Sequence, residues 1–298
     1  MVIDLHIHSS YSDGTDSAVE ILKKASCLHL DYISITDHNS CLAYKELDSC
    51  SSDNLPKNIK VIVGCEFTTS FEGHMIEVLG YGFDYNAVQD YLDKEVYSRF
   101  KGNSTIKSLM EEKIQKKALH IDLLKVRELK FPHERAEAPY YEALKRDLRN
   151  LTVIDEPIWD TFGNFFRKGV MNPQSSMYLD YPQYYPSLDD ICTIIHQNGG
   201  CAFLAHPFQY RLPQLNSFLN RIFNNSMLDG IECYHTTFTD QQIQYLLSFA
   251  NYHNLLVSGG SDYHGKNKTD HNLGCGCGNL RINADILNHW PISFYSFN

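Results

Sequence analysis

The sequence is short of positive charge. Among its 298 residues, 26 lysines and arginines stand against 36 aspartates and glutamates, so the net charge is -10 with neutral histidines. A protein that binds long nucleic acid needs a basic track along the phosphates. This composition therefore argues against long nucleic acid as a partner. It still admits short phosphorylated ligands, because bound cations can invert the local field.

Long hydrophobic runs are also missing. No apolar stretch approaches the roughly 18 residues of a membrane span, and the chain begins with a strand pattern rather than a secretory signal. We therefore expect a cytoplasmic protein with no membrane partner and no obligate protein partner. The nine cysteines fit reduced thiols. Cys275-Gly276-Cys277 has no second pair at zinc-finger spacing, which argues against a thiolate metal site.

Strand and helix patterns alternate over most of the chain. Helices are predicted to begin after Ser17, Ser187 and Thr239, each of which starts a capping pattern. This alternation implies an α/β fold with a parallel sheet. No glycine-rich phosphate loop follows the first strand, which counts against a dinucleotide-binding fold. Roughly seven strand–helix units favour a TIM-like barrel, whose chemistry lies at the carboxyl ends of the strands.

The alternation stops in the middle of the chain. Charged helical segments broken by prolines replace it. We predict that residues 1–84 and 178–298 form the barrel and that residues 85–177 form an inserted, mostly helical cap subdomain. We expect the cap to cover the active face and to set specificity.

Nine histidines and carboxylates recur at the predicted strand ends. They are His6, His8, Asp13, His38, Glu66, His74, His206, Asp262 and His264. One histidine alone is usually a core or surface residue, but a shared barrel face explains all nine together. Imidazole and carboxylate without thiolate suit Mn, Fe or Zn better than Mg or Ca. The pattern therefore predicts a metal site.

The motifs around these residues resemble those of the PHP family, the polymerase-and-histidinol-phosphatase group of metal-dependent phosphoesterases. They run in the family's order as Asp4-Leu5-His6-Ile7-His8 continuing to Gly14, Ile35 to Asn39, Gly64-Cys65-Glu66, Leu204 to Pro207, and Gly260 to Gly265. The resemblance implies the PHP fold, a distorted (β/α)7 barrel. It also implies two or three divalent metal ions (Mn, Fe or Zn).

The resemblance further implies how the ligands are grouped. His6, His8, Glu66 and Asp262 would hold one ion. Glu66 would bridge to a second ion held by His74 and His206. A third ion would be held by Asp13, His38 and His264.

Within the family, the sequence resembles the nucleotide-type enzymes more than the histidinol phosphatases. The Ser-Asp-Gly at residues 12–14 and the insertion between His74 and His206 carry this likeness. Nucleotide-type relatives have a Gly-Arg-Pro-His segment in the insertion. This chain has only Ala138-Pro139-Tyr140-Tyr141 there, which departs from their pattern.

The predicted chemistry is hydrolysis of a phosphate ester. Closely spaced cations neutralise the phosphate, orient it and lower the pKa of a bridging water. We assign catalytic roles to Glu66 and Asp262 as metal-holding carboxylates and to His235 as the acid for the leaving group, although His235 also fits a polar loop residue. Glu232 lies inside a strand and fits a carboxylate that orients a ligating imidazole.

Arg211, Arg135 and Tyr263 are the predicted substrate-binding residues. A guanidinium fork matches a phosphate, although both arginines also fit surface charges. Tyr263 lies between two predicted ligands and fits either base stacking or core packing. Six other histidines carry no positional support and are expected to be structural: His29, His120, His133, His196, His253 and His271.

The predicted function is hydrolysis of a phosphomonoester of a small metabolite, and the expected substrate is a nucleotide or the end of a short oligonucleotide. A histidinol-phosphate phosphatase is an alternative. A second alternative is a metal-dependent binder that holds a phosphorylated ligand without cleaving it. A metal-dependent amide hydrolase on a similar barrel is a weaker alternative, because such enzymes commonly use fewer metals.

Overall fold

Strands and helices alternate along both ends of the chain. The fold is seen in a computed structural model that describes residues 2–51, 55–96, 103–128, 136–180 and 182–292. Its strands are β1 (Val2–Ile7), β2 (Tyr32–Ile35), β3 (Lys60–Val61), β4 (Gly64–Phe71), β5 (His74–Tyr81), β6 (Cys201–Leu204), β7 (Gly230–His235), β8 (Leu256–Gly260) and β9 (Ile282–Asn283).

Helices of several kinds connect the strands. The α-helices are α1 (Ala18–Cys27), α2 (Leu42–Ser49), α3 (Tyr85–Glu95), α4 (Asn103–Lys116), α5 (Leu123–Glu128), α6 (Ala138–Lys145), α7 (Leu148–Val153), α8 (Phe162–Asn164), α9 (Leu188–Gln197), α10 (Leu215–Asn225) and α11 (Asp240–His253). A π-helix covers Phe165–Val170, and 3-10 helices cover Pro182–Tyr184, Pro207–Tyr210, Gly265–Asn267 and Ala284–His289. No helix in the described ranges is long and apolar enough to cross a bilayer.

The predicted helix starts are confirmed. Ser17, Ser187 and Thr239 each accept a hydrogen bond from the backbone of the third helical residue, whose side chain bonds back to the cap. These reciprocal bonds satisfy amide groups that a helix start otherwise leaves unpaired. They fix where α1, α9 and α11 begin.

The strands form two sheets, and both are mixed. Their orders are β3-β2-β1-β9 and β4-β5-β6-β7-β8. Most neighbours are parallel, but β1 pairs antiparallel with β9 and β5 with β6. The α/β class is confirmed, whereas a wholly parallel sheet is wrong and a closed barrel is not confirmed. Strand β5 reverses because it follows β4 through Glu72-Gly73, which both have positive φ and so make a tight hairpin turn.

The chain divides into two compact units. The first comprises Met1–Thr69, Ile76–Lys94 and Pro186–Asn298, and the second comprises Ser70–Met75 and Glu95–Tyr185. Each has its own apolar core. In the first, Leu5, Tyr81 and Phe203 are fully buried; in the second, Tyr140 and Phe165 are. Almost all of α3 belongs to the first unit, although its residues fall inside the predicted insertion.

Tyr44 connects the first strands of the site-bearing unit. Its hydroxyl donates to the carbonyl of Ile35 at 2.6 Å and accepts from the amide of Gly64 at 2.8 Å. The side chain is fully buried, so water cannot replace either partner. The hydroxyl therefore ties the end of β2 to the start of β4.

Tyr44→Phe should lower the free energy of unfolding by about 1–3 kcal/mol, because it leaves a buried carbonyl and a buried amide without this partner. Urea denaturation measures the loss. Tyr252→Phe is the matched control, since Tyr252 is 81% exposed and its change should stay within about 0.5 kcal/mol. Equal effects of the two substitutions would contradict the role of Tyr44.

Candidate metal centre

Most of the predicted ligands lie together in the first unit. The two-residue period of a strand sends His6 and His8 to the same face, where both are buried and their Nε2 atoms lie 3.1 Å apart. Asp262, just after β8, brings Oδ1 to 3.7 Å from Nε2 of His6 and 3.4 Å from Nε2 of His8. The three side chains form one group whose ligand atoms can share a cation.

Glu66 lies at the centre of the cluster. Its Oε2 is 3.5 Å from Nε2 of His6 and 3.3 Å from Nε2 of His8. The same oxygen is 3.0 Å from Nδ1 of His38, and Oε1 is 2.9 Å from Nε2 of His206. Burial disfavours the charged form, but His38 and His6 hold the pKa of Glu66 well below its usual range. A carboxylate so placed can bridge two cations.

Glu66 reaches this position from the start of β4. The sequence pattern predicts one strand that ends at Glu66. In the structure β3 ends at Val61, and a new strand, β4, begins at Gly64. A side chain at Gly64 would meet Oγ of Ser34 at 2.2 Å, so β4 can approach β2 only through glycine. The carbonyl of Glu66 then accepts from the amide of Asn39 at 2.8 Å.

A second group lies beside the first. Asp13 places Oδ1 at 3.1 Å from Nε2 of His264 and 3.6 Å from Nδ1 of His8, and its Oδ2 is 3.8 Å from Nε2 of His38. These four residues can together hold a cation. Asp13 is the most exposed of them, with 46% of its side chain accessible. This side of the centre is therefore open to a ligand from solvent.

Asp37 holds the loop that carries Asp13. It accepts from the amide of Ser9 at 2.7 Å and from both hydroxyls, Oγ of Ser9 and Oγ of Ser12, at 2.5 Å. All four residues follow β1 or β2, and Asp37 is fully buried. This carboxylate therefore fixes the path of the loop.

A third group forms around His206. Its Nε2 lies 2.9 Å from Oε1 of Glu66 and 3.4 Å from Oε2 of Glu77. His74, the ligand predicted here, is in none of the cation-binding groups found among the described residues. It begins β5 three residues before Glu77, about 10 Å along an extended strand and on the opposite face. His74 was predicted because it lies at the start of a strand. Since β5 runs antiparallel to β6, the residue of β5 beside His206 is Glu77 instead.

Further hydrogen bonds fix how the imidazoles point. Glu232 places Oε1 at 2.8 Å from Nδ1 of His6 and accepts from the amide of His206 at 2.7 Å through Oε2. The carbonyl of Asp262 lies 2.8 Å from Nδ1 of His264. When Nδ1 is held in this way, Nε2 presents its lone pair to a cation. Glu232 thus has the geometry of the orienting carboxylate that its position in a strand predicted.

Two residues beside Asp262 were missed by the sequence argument. Nζ of Lys268 lies 2.7 Å from Oδ2 of Asp262. Nδ1 of His271 lies 3.1 Å from the backbone carbonyl of Asp262. His271 was expected to be an unrelated structural histidine. Burial disfavours ionisation of Asp262, but Lys268 and His264 hold its pKa well below the usual range. Both missed residues lie in irregular chain, which gives no periodic signal.

His235, the predicted leaving-group acid, ends β7 and is fully buried. Its Nε2 lies 3.4 Å from Oδ2 of Asp262, and its Nδ1 is 2.9 Å from Oγ1 of Thr237. Burial lowers the pKa of His235. It also forms a cation-binding group with His6 and Glu232. The residue therefore lies at the edge of the centre, as its position after a strand predicted.

The predicted substrate-binding residues are placed differently from one another. Arg211 directly follows the 3-10 helix after His206, with a left-handed backbone and an exposed side chain. The hydroxyl of Tyr263 hydrogen-bonds to Asp16 and lies 3.1 Å from Nζ of Lys24. These bonds tie the ring to α1. Arg135 lies outside the described residues.

The residues present fit divalent cations. Nε2 of His264 is buried and makes no hydrogen bond, although it lies 3.1 Å from Oδ1 of Asp13. Burial and the neighbouring His8 lower the pKa of His264 to about 4, so this imidazole is neutral at pH 7 and has a lone pair to give. Each group mixes imidazole nitrogen with carboxylate oxygen, the donor set that Mn, Fe and Zn accept. The arrangement provides several groups of side chains that could hold a divalent cation.

The chain belongs to the PHP family, since the model of the PHP domain matches residues 4–230. It is a PHP-type metal-dependent phosphoesterase, a hydrolase. The 5'-3' exoribonuclease Rnm of Salmonella typhimurium is 25% identical over 270 residues, which cover 89% of this chain and 85% of that protein. The phosphoribosyl 1,2-cyclic phosphate 1,2-diphosphodiesterase of Eggerthella lenta is also 25% identical, with coverages of 89% and 95%.

A phosphatase and a solved structure are also similar. The 3',5'-nucleoside bisphosphate phosphatase of Chromobacterium violaceum is 22% identical, with 91% of this chain and 90% of that protein covered. A Bifidobacterium adolescentis structure assigned as a metal-dependent phosphoesterase has a TM-score of 0.60 and 23% identity, with coverages of 97% and 94%. At this identity the structure supports the fold alone.

Glu232→Gln should weaken metal binding by about 10–100-fold, because it removes the charge that orients His6. Titration of metal-free protein with Mn²⁺ measures the change. Asp229→Asn is the matched control: Asp229 pairs with Nε2 of His196 at 2.7 Å and accepts from the amide of Ala202 at the same distance, but His196 is in none of the cation-binding groups. Unchanged affinity in Glu232→Gln, or an equal loss in Asp229→Asn, would contradict the orienting role.

Proposed function

We propose that the protein hydrolyses a phosphomonoester of a small metabolite, namely a nucleotide or the end of a short oligonucleotide. One observation carries the proposal: the carboxylate of Glu66 lies within 3.5 Å of imidazole nitrogens from His6, His8, His38 and His206. A binding protein for a phosphorylated ligand does not need so many donors around one carboxylate. A substrate that repels an anionic nucleophile does, because it needs neighbouring cations.

The proposed ligand set follows from the groups described above. His6, His8 and Asp262 would hold one cation, and His8, Asp13, His38 and His264 would hold a second. Glu66 and His206 would hold a third. When bound, these cations neutralise the phosphate and lower the pKa of water. Mn, Fe and Zn are the ions that this donor set favours.

The side chains of this chain do the remaining work. Glu232 keeps the His6 imidazole in one orientation, and Asp37 keeps the Asp13 loop in place. His235 in its protonated form gives a proton to the departing alkoxide. Burial disfavours that form, but Asp262, whose Oδ2 lies 3.4 Å from Nε2, favours it. Arg211, which follows the 3-10 helix after His206, would bind phosphate oxygens through its guanidinium. Tyr263 and Arg135 stay predictions as substrate-binding residues.

The proposal also includes the distorted (β/α)7 barrel. Backbone hydrogen bonds between the two sheets support it. The amide of Asp262 donates to the carbonyl of His6 at 2.9 Å and the amide of His8 to the carbonyl of Tyr263 at 2.8 Å, which joins β1 to the end of β8. The amide of Asn39 donates to Glu66 and so joins the end of β2 to β4. Segment 85–177 as a specificity-setting cap, and a cytoplasmic location, stay predictions.

Metal-loaded protein should release inorganic phosphate from a nucleoside 3',5'-bisphosphate or a 5'-phosphorylated trinucleotide faster than from histidinol phosphate. EDTA should abolish the release and Mn²⁺ should restore it. Phosphate release from this panel measures the preference, and product analysis by mass shows which bond breaks. Glu66→Gln should lose at least about 10²-fold in kcat/KM, as expected when the cations that stabilise the transition state are lost.

His196→Gln is the control for this loss, because His196 is in none of the cation-binding groups of the described residues and pairs with Asp229. Preference for histidinol phosphate would replace the proposed substrate with the alternative one. Release of no phosphate from the whole panel, with metals bound, would refute a phosphomonoesterase.

His235→Gln tests the proton donor. General acids contribute about 10²–10⁴-fold to rate, so kcat for a nucleotide substrate should fall by that order. Hydrolysis of p-nitrophenyl phosphate should fall much less, because its leaving group needs no proton. His253→Gln, at the end of α11, should change neither rate. An equal loss on both substrates would show that His235 acts through structure or metal binding instead.

A further inference from the structure

We propose that Glu77 completes the third cation position with Glu66 and His206, and that its carboxylate makes the preference of this position for Zn²⁺ over Mn²⁺ weaker than that of the imidazole-rich second position. This inference deepens the proposed function by naming an additional ligand and its metal preference. It does not depend on the identity of the substrate.

The register of β5 against β6 places Glu77 at the centre. Val78 pairs with Leu204 in this antiparallel arrangement, and the carbonyl of Glu77 accepts from the amide of Ala205 at 3.0 Å. Glu77 is therefore opposite the residue that precedes His206. Most strands bring ligands at their carboxyl ends, whereas β5 brings this one from its amino-terminal half because it runs the other way.

The side-chain geometry agrees with this placement. Oε2 of Glu77 lies 3.4 Å from Nε2 of His206, which is itself 2.9 Å from Oε1 of Glu66. Glu66, Glu77 and His38 each offer one ligand atom within 4.8 Å of the others. Only 5% of Glu77 is exposed. Potential donors thus come from β4 and β5 and from the segments that follow β2 and β6.

The charge of this position calls for a cation. Glu66 and Glu77 each offer an oxygen to the same small region, and a divalent ion held there would interact favourably with both carboxylates. The imidazole of His206 can donate at most one hydrogen bond through Nε2, and both carboxylates face that same atom. A bound ion relieves this competition.

The donor chemistry sets the preference. Two carboxylates and an imidazole form a harder ligand set than the three-imidazole group of His8, His38 and His264 with Asp13. Carboxylate oxygens favour Mn²⁺ and Mg²⁺, and imidazole favours Zn²⁺ and Fe²⁺. The third position should therefore prefer Zn²⁺ over Mn²⁺ less strongly than the second position does.

Glu77→Gln keeps the shape of the side chain and removes its charge. Metal-free wild type and variant are titrated with Mn²⁺ and with Zn²⁺ by calorimetry, and elemental analysis counts the ions retained after desalting. The variant should retain one Mn²⁺ fewer per chain, or bind that ion at least about 10-fold more weakly, in the range expected for loss of a ligand contact. Glu77→His should restore the count with Zn²⁺ preferred.

His74→Gln is the matched control, since His74 lies on the same strand three residues earlier and was predicted from sequence alone. It should keep the wild-type count and affinities. Full Mn²⁺ binding by Glu77→Gln would overturn the proposal, and so would loss of an ion from His74→Gln. If Glu77→Gln does not fold, Glu77→His decides: a shift towards Zn²⁺ supports the proposal and an unchanged preference refutes it.

Urea denaturation of the metal-free proteins separates folding from metal binding. No substrate enters these measurements. A failed phosphatase screen with the Glu77 results intact would reject the proposed function alone, and normal phosphatase activity with unchanged metal binding would reject this inference alone.

Discussion

A fully enclosed carboxylate among imidazoles is the constraint on which this structure depends. Glu66 is 1% exposed and faces four histidines from three segments of the chain. Such a group is costly to bury unless partners compensate its charge. The strands β1, β2, β4 and β6 therefore have to bring these side chains to one place. There the side chains form groups that could hold a cation.

Several buried carboxylates around the centre hold its donor side chains and loops in position. Glu232 orients His6, Asp37 fixes the loop after β1, and Asp4 accepts from the amide and the hydroxyl of Ser261, the residue before Asp262. Each bonds to backbone or to a ligating side chain rather than to solvent. Their common effect is to limit movement of the donors before any ion binds, which lowers the cost of ordering the site.

The similar proteins act on different phosphorylated substrates. They include an exoribonuclease, a cyclic phosphate diesterase and a bisphosphate phosphatase, each 22–25% identical to this chain. They share a family but not a substrate. What they have in common is cleavage of a phosphorus–oxygen bond, which depends on the cation centre.

The sequence by itself determined the helix starts at Ser17, Ser187 and Thr239, because caps are local patterns. It also singled out a set of polar residues near strand ends that the structure brings together: His6, His8, Asp13, His38, Glu66, His206, Asp262 and His264. Only the tertiary structure places Glu77 beside His206 and brings Lys268 and His271 to Asp262. The direction of β5 depends on its pairing with β6, a contact across more than 120 residues. Periodicity is the same for a strand that runs in either direction, so it could not show which end of β5 meets the metal ligands.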